Sequence, residues 1–534
     1  MPDIVLGPLL RYVGERQATV WVETDAACTV EVLGARAPTF TVHDRHYALV
    51  VLDDLEPGTV TPYAVALDGR VAWPPPDSDL PPSVIRTLTP GGSFRLAFGS
   101  CRLTLPAQDV NPPGHGVDVL RAVAERGARD PASLPDLLLL LGDQIYADEI
   151  SEDLRPLVHV PDGRSDPAPP DGSVADFEEY ARLYGVAWGE RWTRWLLSTV
   201  PTAMMFDDHD VRDDWNTSQA WRAEMLAQPW WSRRIGGALA TYWIYQHLGN
   251  LTPDQLAGDD AYAHVRAADG DVGGYLDAFA EAADREPTGN RWSYARDVGD
   301  VRVVILDTRC ARVVDEHRRS ITDAAEWDWV VEQARGARTH LLIGSSLPWL
   351  LPRPIHDVEV WNEAVCGGAW GRRWAGWGER IRQGVDLEHW AAFRRSFEAL
   401  SSLLCDVIAR PDPPASVVVL SGDVHYSYLA DARFAGGTRV WQVVSSPLRN
   451  PLAASLRWAN SLAFWRLISW PARLLALAAG VPHPRLRWQV DRGPWFDNAL
   501  ATIETHGRSA TVRWERSLER DGEELEELGS AVLA

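Results

Sequence analysis

Five apolar runs in this 534-residue chain each end in residue types that bind metal ions or phosphate groups. The endings are Gly99-Ser100-Cys101-Arg102, Gly142-Asp143-Gln144-Ile145-Tyr146, Asp207-Asp208-His209-Asp210, Asp307-Thr308-Arg309 and Ser421-Gly422-Asp423-Val424-His425. In an open α/β sheet, ligands collect at the carboxyl ends of the strands. Five such endings in one chain therefore predict a single metal-centred hydrolytic site.

The run Asp207-Asp208-His209-Asp210 is the most specific of these endings. Three carboxylates in four residues repel one another unless water or cations surround them. An acidic surface loop is the alternative, but the apolar residues 204–206 before the run predict a strand that leads inward. The histidine between the aspartates indicates an acid, a base or a metal ligand.

Other endings leave more than one role open. Cys101 could be a buried small hydrophobic residue, a nucleophile or a thiolate ligand, and Arg102 beside it would favour the thiolate or bind phosphate. Asp143 follows a glycine that permits a sharp turn, so its carboxylate could bridge two cations. Asp423 and His425 stand two residues apart, which places them on one face of a regular strand.

Composition excludes several classes of protein. The formal net charge of −22 argues against a nucleic-acid scaffold, because a phosphate-backbone binder needs a basic face. All 52 basic residues are arginine, so neither a Schiff-base lysine nor a P-loop lysine exists. Any phosphate group would then be held by arginine, which is a planar bidentate donor.

The cysteines and the apolar segments indicate the cellular compartment of the protein. The five cysteines are scattered along the chain without a CxxC pair, which fits a reducing compartment. The first residues lack the basic start and apolar core of a signal peptide, so we expect a cytoplasmic protein. The apolar residues 462–481 include Arg466, Pro471 and Arg473, so we expect no integral membrane span. The oligomeric state is not readable from the sequence.

The chain divides into two predicted domains. Short alternating strands predict a small all-β domain of immunoglobulin or fibronectin type over residues 1–90. Strands then alternate with helical stretches over residues 91–534, which is typical of an α/β fold. Within that part, the Gly- and Trp-rich residues 352–386 are typical of a lid, and residues 452–485 have helical spacing.

Taken together and in this order, the motifs Gly-Ser-Cys-Arg, Gly-Asp-Gln-Ile-Tyr-Ala-Asp, Asp-Asp-His-Asp, Leu-Asp-Thr-Arg and Ser-Gly-Asp-Val-His resemble those of the PhoD-like alkaline phosphatases. These enzymes are a branch of the calcineurin-like metallophosphoesterases. The resemblance covers residues 98–428 and implies a four-layer α/β/β/α sandwich behind an N-terminal β-sandwich. It also implies Fe³⁺ held by Cys101, Asp143, Tyr146 and His425, with one or two Ca²⁺ ions nearby.

The wider superfamily implies roles for three further motif residues. Asp208 matches a metal-bound asparagine, His209 a proton-donating histidine, and Asp210 the carboxylate that orients it. Asp423 stands where the superfamily has the first histidine of a Gly-His-x-His motif, and is assigned to the metal site. The superfamily's middle histidine has no match, because residues 341–347 offer only two serines, Ser345 and Ser346.

The sequence thus predicts a metal-dependent phosphoesterase of the alkaline phosphatase or phosphodiesterase type. A metal-bound hydroxide would attack phosphate mono- or diesters, small or polymeric, with Arg102 and Arg309 clamping the phosphate oxygens. One alternative is a metal-free cysteine hydrolase that uses Cys101. The other is a catalytically idle homologue that acts as a binding module.

Overall fold

The computed structural model describes residues 1–106, 114–160, 168–434, 439–452, 457, 469–518 and 524–534. Residues 453–456 and 458–468 of the predicted helical segment 452–485 lie outside the described residues, and the described part of the segment contains the helix Ser469–Ala478. Over the described part of the chain, no helix is both long enough and apolar enough to cross a membrane.

Ten strands form the N-terminal β-sandwich. Its two four-stranded sheets have the orders β1-β2-β6-β5 and β4-β3-β8-β9, and β10 pairs with β7. The strands are β1 (Ile4–Val13), β2 (Ala18–Thr24), β3 (Thr29–Val32), β4 (Ala35–Pro38), β5 (Phe40–Val42), β6 (Arg45–Leu52), β7 (Val60–Pro62), β8 (Val65–Leu67), β9 (Arg70–Trp73) and β10 (Val84–Arg86). The predicted all-β N-terminal region is confirmed.

Two larger sheets follow, with orders β13-β12-β11-β21-β22-β23 and β14-β15-β16-β17-β19-β18-β20. Their strands are β11 (Phe94–Gly99), β12 (Leu137–Leu141), β13 (Thr202–Met205), β14 (Tyr294–Val298), β15 (Val301–Leu306), β16 (His340–Ser345), β17 (Ser416–Ser421), β18 (Ser427–Arg433), β19 (Arg439–Val444), β20 (Arg487–Trp495), β21 (Ala499–His506), β22 (Ser509–Ser517) and β23 (Leu525–Val532). In the first sheet β11, β12 and β13 run parallel, and in the second sheet β15, β16 and β17 do, so the carboxyl ends of these strands meet at one edge of each sheet.

Helices cover the outer faces of both sheets. They are α1 (Val119–Arg129), α2 (Arg155–Val158), α3 (Phe177–Gly189), α4 (Arg191–Thr199), α5 (Gln219–Leu226), α6 (Trp231–Thr241), α7 (Leu248–Asn250), α8 (Pro253–Ala257), α9 (Asp260–Ala267), α10 (Gly273–Arg285), α11 (Ala324–Arg335), α12 (Arg353–Cys366), α13 (Arg372–Gly384), α14 (Arg394–Ile408) and α15 (Ser469–Ala478). A π-helical turn, Tyr242–His247, joins α6 to α7.

Alternation along the strands explains the four layers. Leu139 packs between the two sheets, whereas Leu138 and Leu140 pack against the helices outside. In the facing sheet, Ile305 points inward and Val304 points to the helices on the other side. Since successive strand residues point to opposite faces, a strand that is apolar on both faces needs cover on both. The predicted α/β/β/α sandwich is therefore confirmed.

Candidate metal centre

The two sheets approach each other closely where their strands end. Gly422 follows β17, and a Cβ atom added there would overlap the hydroxyl of Ser100, which follows β11. Gly142 follows β12 with φ +107°, and an added Cβ would lie 2.7 Å from Asp207 Oδ2. Glycine at these two positions lets the chain endings of both sheets share one small volume.

Four predicted ligands take a backbone conformation that is rare for their residue type. Cys101, Asp143, Asp423 and His425 have φ of 54°, 39°, 66° and 55°. The left-handed region is costly for residues other than glycine, and such residues cluster at functional sites. This backbone turns the chain sharply at each strand end, where the four residues stand.

Cys101, Asp143 and Tyr146 form the first part of the cluster, and Ser446 connects His425 to it, because the Ser446 hydroxyl contacts both the Cys101 thiol and the backbone N–H of His425. The Tyr146 hydroxyl donates to Asp143 Oδ2 at 3.1 Å, and the buried Cys101 thiol lies 3.4 Å from the backbone oxygen of Asp423. His425 Nδ1 lies 2.7 Å from the backbone oxygen of Asn450. Since that oxygen only accepts, Nδ1 carries the proton and Nε2 keeps its lone pair.

Carboxylates form the second part. Donor atoms of Asp143, Asp207 and Asp208 lie within 4.8 Å of one another, and so do those of Asp208, Glu388 and Asp423. Asp143 belongs to the first part of the cluster as well, so its carboxylate joins the two. Asp207 and Glu388 were not among the predicted ligands. Asp207 lay within a recognised motif, whereas Glu388 follows the helical insert, where no strand ending marks it.

The ionised carboxylates of Asp143 and Asp207 are unfavourable in their buried positions. Burial raises the pKa of Asp143 to about 8 and that of Asp207 to about 6, and neighbouring carboxylates add to both shifts. Within the described residues, Asp143 Oδ1 and Asp207 Oδ2 have no hydrogen-bond partner. A buried carboxylate oxygen without a partner costs free energy, and a bound cation would remove that cost. The donor set therefore fits metal ions.

Arg309 is a fixed counter-charge inside this group. Its guanidinium is fully buried, pairs with Asp207 and Glu388, and lies 2.9 Å from Asp208 Oδ1. The predicted phosphate clamp is not supported, because the donors already face protein carboxylates and none reaches solvent. An arginine at this position neutralises part of the acidic cluster.

Arg102 is not brought to the cluster. Its guanidinium donates to Asp118 Oδ2 at 2.8 Å, to the backbone oxygen of Ala187 at 2.7 Å and to Thr193 Oγ1 at 3.1 Å. The predicted phosphate clamp is not supported for Arg102 either, because the buried guanidinium ties α1 to α3 and α4 and these partners occupy its donors.

His209 lies over the first part of the cluster, but its orienting partner differs from the prediction. Its ring stacks on Tyr146 with centroids 4.5 Å apart, and Nδ1 lies 3.0 and 3.1 Å from the two carboxylate oxygens of Asp148. Burial lowers the pKa of His209, but Asp148 more than offsets this, and the pKa is raised well above its usual range. Asp148 is therefore the residue that orients the imidazole.

Asp210 has a structural role instead. Its carboxylate accepts backbone N–H groups from Asp207 at 2.9 Å and from Gln144 and Ile145 at 3.1 Å. The assignment of Asp210 as the partner of His209 is wrong because three backbone donors hold it beneath the turn. It fixes the loop after β12 against the turn after β13.

Comparison with known proteins gives the family. A family model described as PhoD-like phosphatase matches residues 111–458, which is more than half of the chain. The chain belongs to the PhoD-like phosphatase family. That membership supports a phosphatase-type hydrolase, and the acidic groups described above could bind its metal.

Other comparisons are less informative about function. A second family model, a domain of unknown function (DUF7800), matches residues 1–85. The solved "Structure of PhoD" aligns with a TM-score of 0.61 at 13% identity, covering 99% of this chain and 90% of that chain, and so shows the shared fold. A maltogenic amylase from S. marinus gives a TM-score of only 0.16 at 9% identity, covering 96% of this chain and 77% of that chain. No curated protein matches.

The environment of Cys101 bears on the alternative of a cysteine nucleophile in this PhoD-like protein. Burial raises the pKa of the thiol well above its usual range, and Asp143 and Asp423 raise it further. Its polar contacts in the described structure are Ser100 Oγ at 3.2 Å, Ser446 Oγ at 3.3 Å and the Asp423 oxygen, none of which is a base for a thiol. A reactive cysteine needs a lowered pKa and an adjacent base, so the surroundings of Cys101 argue against a cysteine hydrolase.

Proposed function

We propose that this protein is a metal-dependent phosphoesterase that hydrolyses phosphate mono- or diesters at the strand-end cluster. The observation that carries the proposal is the pair of buried carboxylate oxygens, on Asp143 and Asp207, that have no hydrogen-bond partner in the described structure. Both residues lie within the part of the chain that matches the phosphatase family, and Asp143 accepts a hydrogen bond from the phenol of Tyr146, on which His209 stacks.

The donor types divide naturally between two kinds of cation. We propose that Cys101, Tyr146, Asp143 and His425 hold Fe³⁺, because thiolate, phenolate and carboxylate anions suit a trivalent ion. Asp143, Asp207, Asp208, Glu388 and Asp423 would hold Ca²⁺, which prefers carboxylate oxygens. When bound, such cations polarise the phosphate and lower the pKa of a water molecule.

The chain's own groups then handle the leaving group. Asp148 accepts the Nδ1 proton of His209, so a second proton at Nε2 is free to be donated to the leaving oxygen. The stack on Tyr146 fixes the plane of the imidazole. His209 has 17% of its side chain exposed, so substrate could reach it.

A reducing compartment is part of the proposal. All five cysteines are free thiols, and Cys101 must stay reduced to serve as a ligand. We therefore propose a cytoplasmic protein, and cell fractionation tests this. Recovery mainly from the periplasm or the culture medium would contradict it.

The experiment that tests the function is a substrate panel measured before and after metal removal. Alkyl and aryl phosphate monoesters and diesters are supplied to the chelated protein and to the protein reloaded with iron and calcium. We expect hydrolysis of at least one ester class only in the reloaded protein. Activity that is indifferent to chelation would overturn the proposal.

A further inference from the structure

We infer that His389 is an additional metal ligand of this centre and that Glu359 is the carboxylate that holds it; the inference rests on the proposed function. His389 follows α13, and its Nε2 lies 3.1 Å from Asp423 Oδ2. Two donor atoms at this separation can share one cation. The sequence motifs assign no role to His389 or Glu359.

Glu359 fixes the ring. Its side chain is fully buried, Oε1 lies 2.7 Å from His389 Nδ1, and Oε2 accepts the backbone N–H of Ala392 at 3.2 Å. Because a carboxylate only accepts, Nδ1 donates a proton to Glu359 and Nε2 donates one to Asp423 in this structure. A cation bound between Nε2 and Asp423 would displace the Nε2 proton, since a histidine binds metal through a deprotonated nitrogen. A carboxylate that binds the far nitrogen of a histidine is the usual support of a metal-bound imidazole.

The location of His389 supports the same role. The next residue, Trp390, donates its Nε1–H to Ser345 Oγ at 3.0 Å, and Ser345 is the last residue of β16. That strand end itself carries two serines, Ser345 and Ser346, and no histidine. The hydrogen bond thus brings a histidine from a different segment to the same edge of the sheet.

Neighbouring residues of the segment agree with this placement. Glu388 belongs to the carboxylate group with Asp208 and Asp423, so two successive residues, Glu388 and His389, contact the cluster. Glu359 contacts His389 from α12, which is the first helix of the insert that the sequence predicts to be a lid. Part of that insert is therefore a wall of the metal centre.

The test uses Mn²⁺ as a probe, because its electron spin echo signal reports directly bound nitrogen. Mn²⁺ affinity and the ¹⁴N modulation are measured on the wild-type protein and on His389→Ala, His389→Gln and Glu359→Gln. Glu363→Gln is the matched control, since Glu363 lies one turn along α12, accepts the backbone N–H of Arg394 at 3.2 Å and contacts no histidine in the described structure. Circular dichroism establishes that each variant is folded.

We expect Glu359→Gln to weaken Mn²⁺ binding by roughly 10–100-fold and His389→Ala by at least as much. The nitrogen signal should fall in His389→Ala and be unchanged in Glu363→Gln. His389→Gln can still donate to Asp423, so a recovery of affinity in that variant would mean that His389 only positions Asp423, and would overturn the inference.

The two levels of the proposal fail in different ways. If the wild-type protein binds no Mn²⁺, the proposed function fails together with the inference. If the wild type binds Mn²⁺ and loses it in Asp143→Asn, while His389→Ala and Glu359→Gln keep full affinity and the full nitrogen signal, only the inference fails.

Discussion

The exchange Asp148→Asn tests how His209 delivers a proton. Both oxygens of the buried Asp148 carboxylate lie against Nδ1, at 3.0 and 3.1 Å. A hydrogen bond that involves a charged group contributes about 1.5–3 kcal/mol. Since about 1.4 kcal/mol corresponds to a factor of ten in rate, kcat on an alkyl phosphate ester should fall about 10–150-fold.

The assay compares two leaving groups. A nitrophenolate needs little protonation, so the nitrophenyl ester should lose far less than the alkyl ester. His209→Ala, which removes the acid altogether, sets the upper limit at roughly 10²–10⁴-fold on the alkyl ester. Asp213→Asn is the control, because Asp213 is exposed and 3.8 Å from Nε2, and such a pair contributes at most about 1 kcal/mol.

Two results would refute this reasoning. Equal losses on the alkyl and the nitrophenyl ester in Asp148→Asn would remove Asp148 from leaving-group protonation. A larger loss confined to the alkyl ester in Asp210→Asn would restore Asp210 as the orienting residue. We expect Asp210→Asn to lower both rates alike, because it loosens the backbone turn under the cluster.

Three further outcomes follow from the same contacts. Asp143→Asn should remove bound metal and activity together, by roughly 10²-fold or more in rate, and metal analysis beside a rate assay checks this; full metal content with full turnover would contradict it. If iron is bound as proposed, the purified protein should be coloured by thiolate- and phenolate-to-iron charge transfer, and the visible band should shift in Tyr146→Phe and in Cys101→Ser; a colourless, active, iron-free protein would exclude the iron site. Asp118→Asn leaves Arg102 buried without its carboxylate and should lower the free energy of unfolding by about 3–5 kcal/mol, measured by denaturant titration; a loss below about 1 kcal/mol would mean that the pair is not important for stability. Burial raises the pKa of Asp118, but the charges of Arg102 and Arg449 outweigh burial, so the pKa in the folded protein is lowered. The ion pair therefore stabilises the folded protein above the unfolded pKa of about 3.9, and this stabilisation is lost as the pH falls through the lower folded value.

Strand periodicity and the chain endings carried most of what the sequence could predict. Each of the residues assigned to the metal site follows a strand, and the parallel order of β11 to β13 and of β15 to β17 brings such endings together. Residues such as Cys101 and Asp423 were recognisable because donor types directly after an apolar run need no knowledge of tertiary contacts.

The errors arose where side-chain direction decides the role. Asp210 follows His209 in the sequence, but its carboxylate accepts backbone N–H groups. Asp148 is distant in the sequence and contacts His209 only in the folded structure. Arg102 neighbours Cys101 in the sequence, but its guanidinium donates to Asp118, the residue that caps α1, and this contact is not visible in the motif.

The helical insert was beyond sequence reasoning for a different physical reason. Glu359 is on a helix and His389 is in a connecting segment, 30 residues apart, and they meet only when the insert folds back on the sheet edge. No periodicity relates them to Asp423, which comes 34 residues after His389. Contacts of this kind depend on packing between distant segments.

The central claim is that a cation at the Asp143 carboxylate makes this protein a phosphoesterase. Its most direct test is the metal content of the purified protein, measured together with ester hydrolysis through one cycle of chelation and reloading. We expect bound iron and calcium, loss of hydrolysis when they are removed, and recovery in proportion to the metal rebound. A protein that contains no metal and hydrolyses phosphate esters at full rate in the presence of chelator would contradict it.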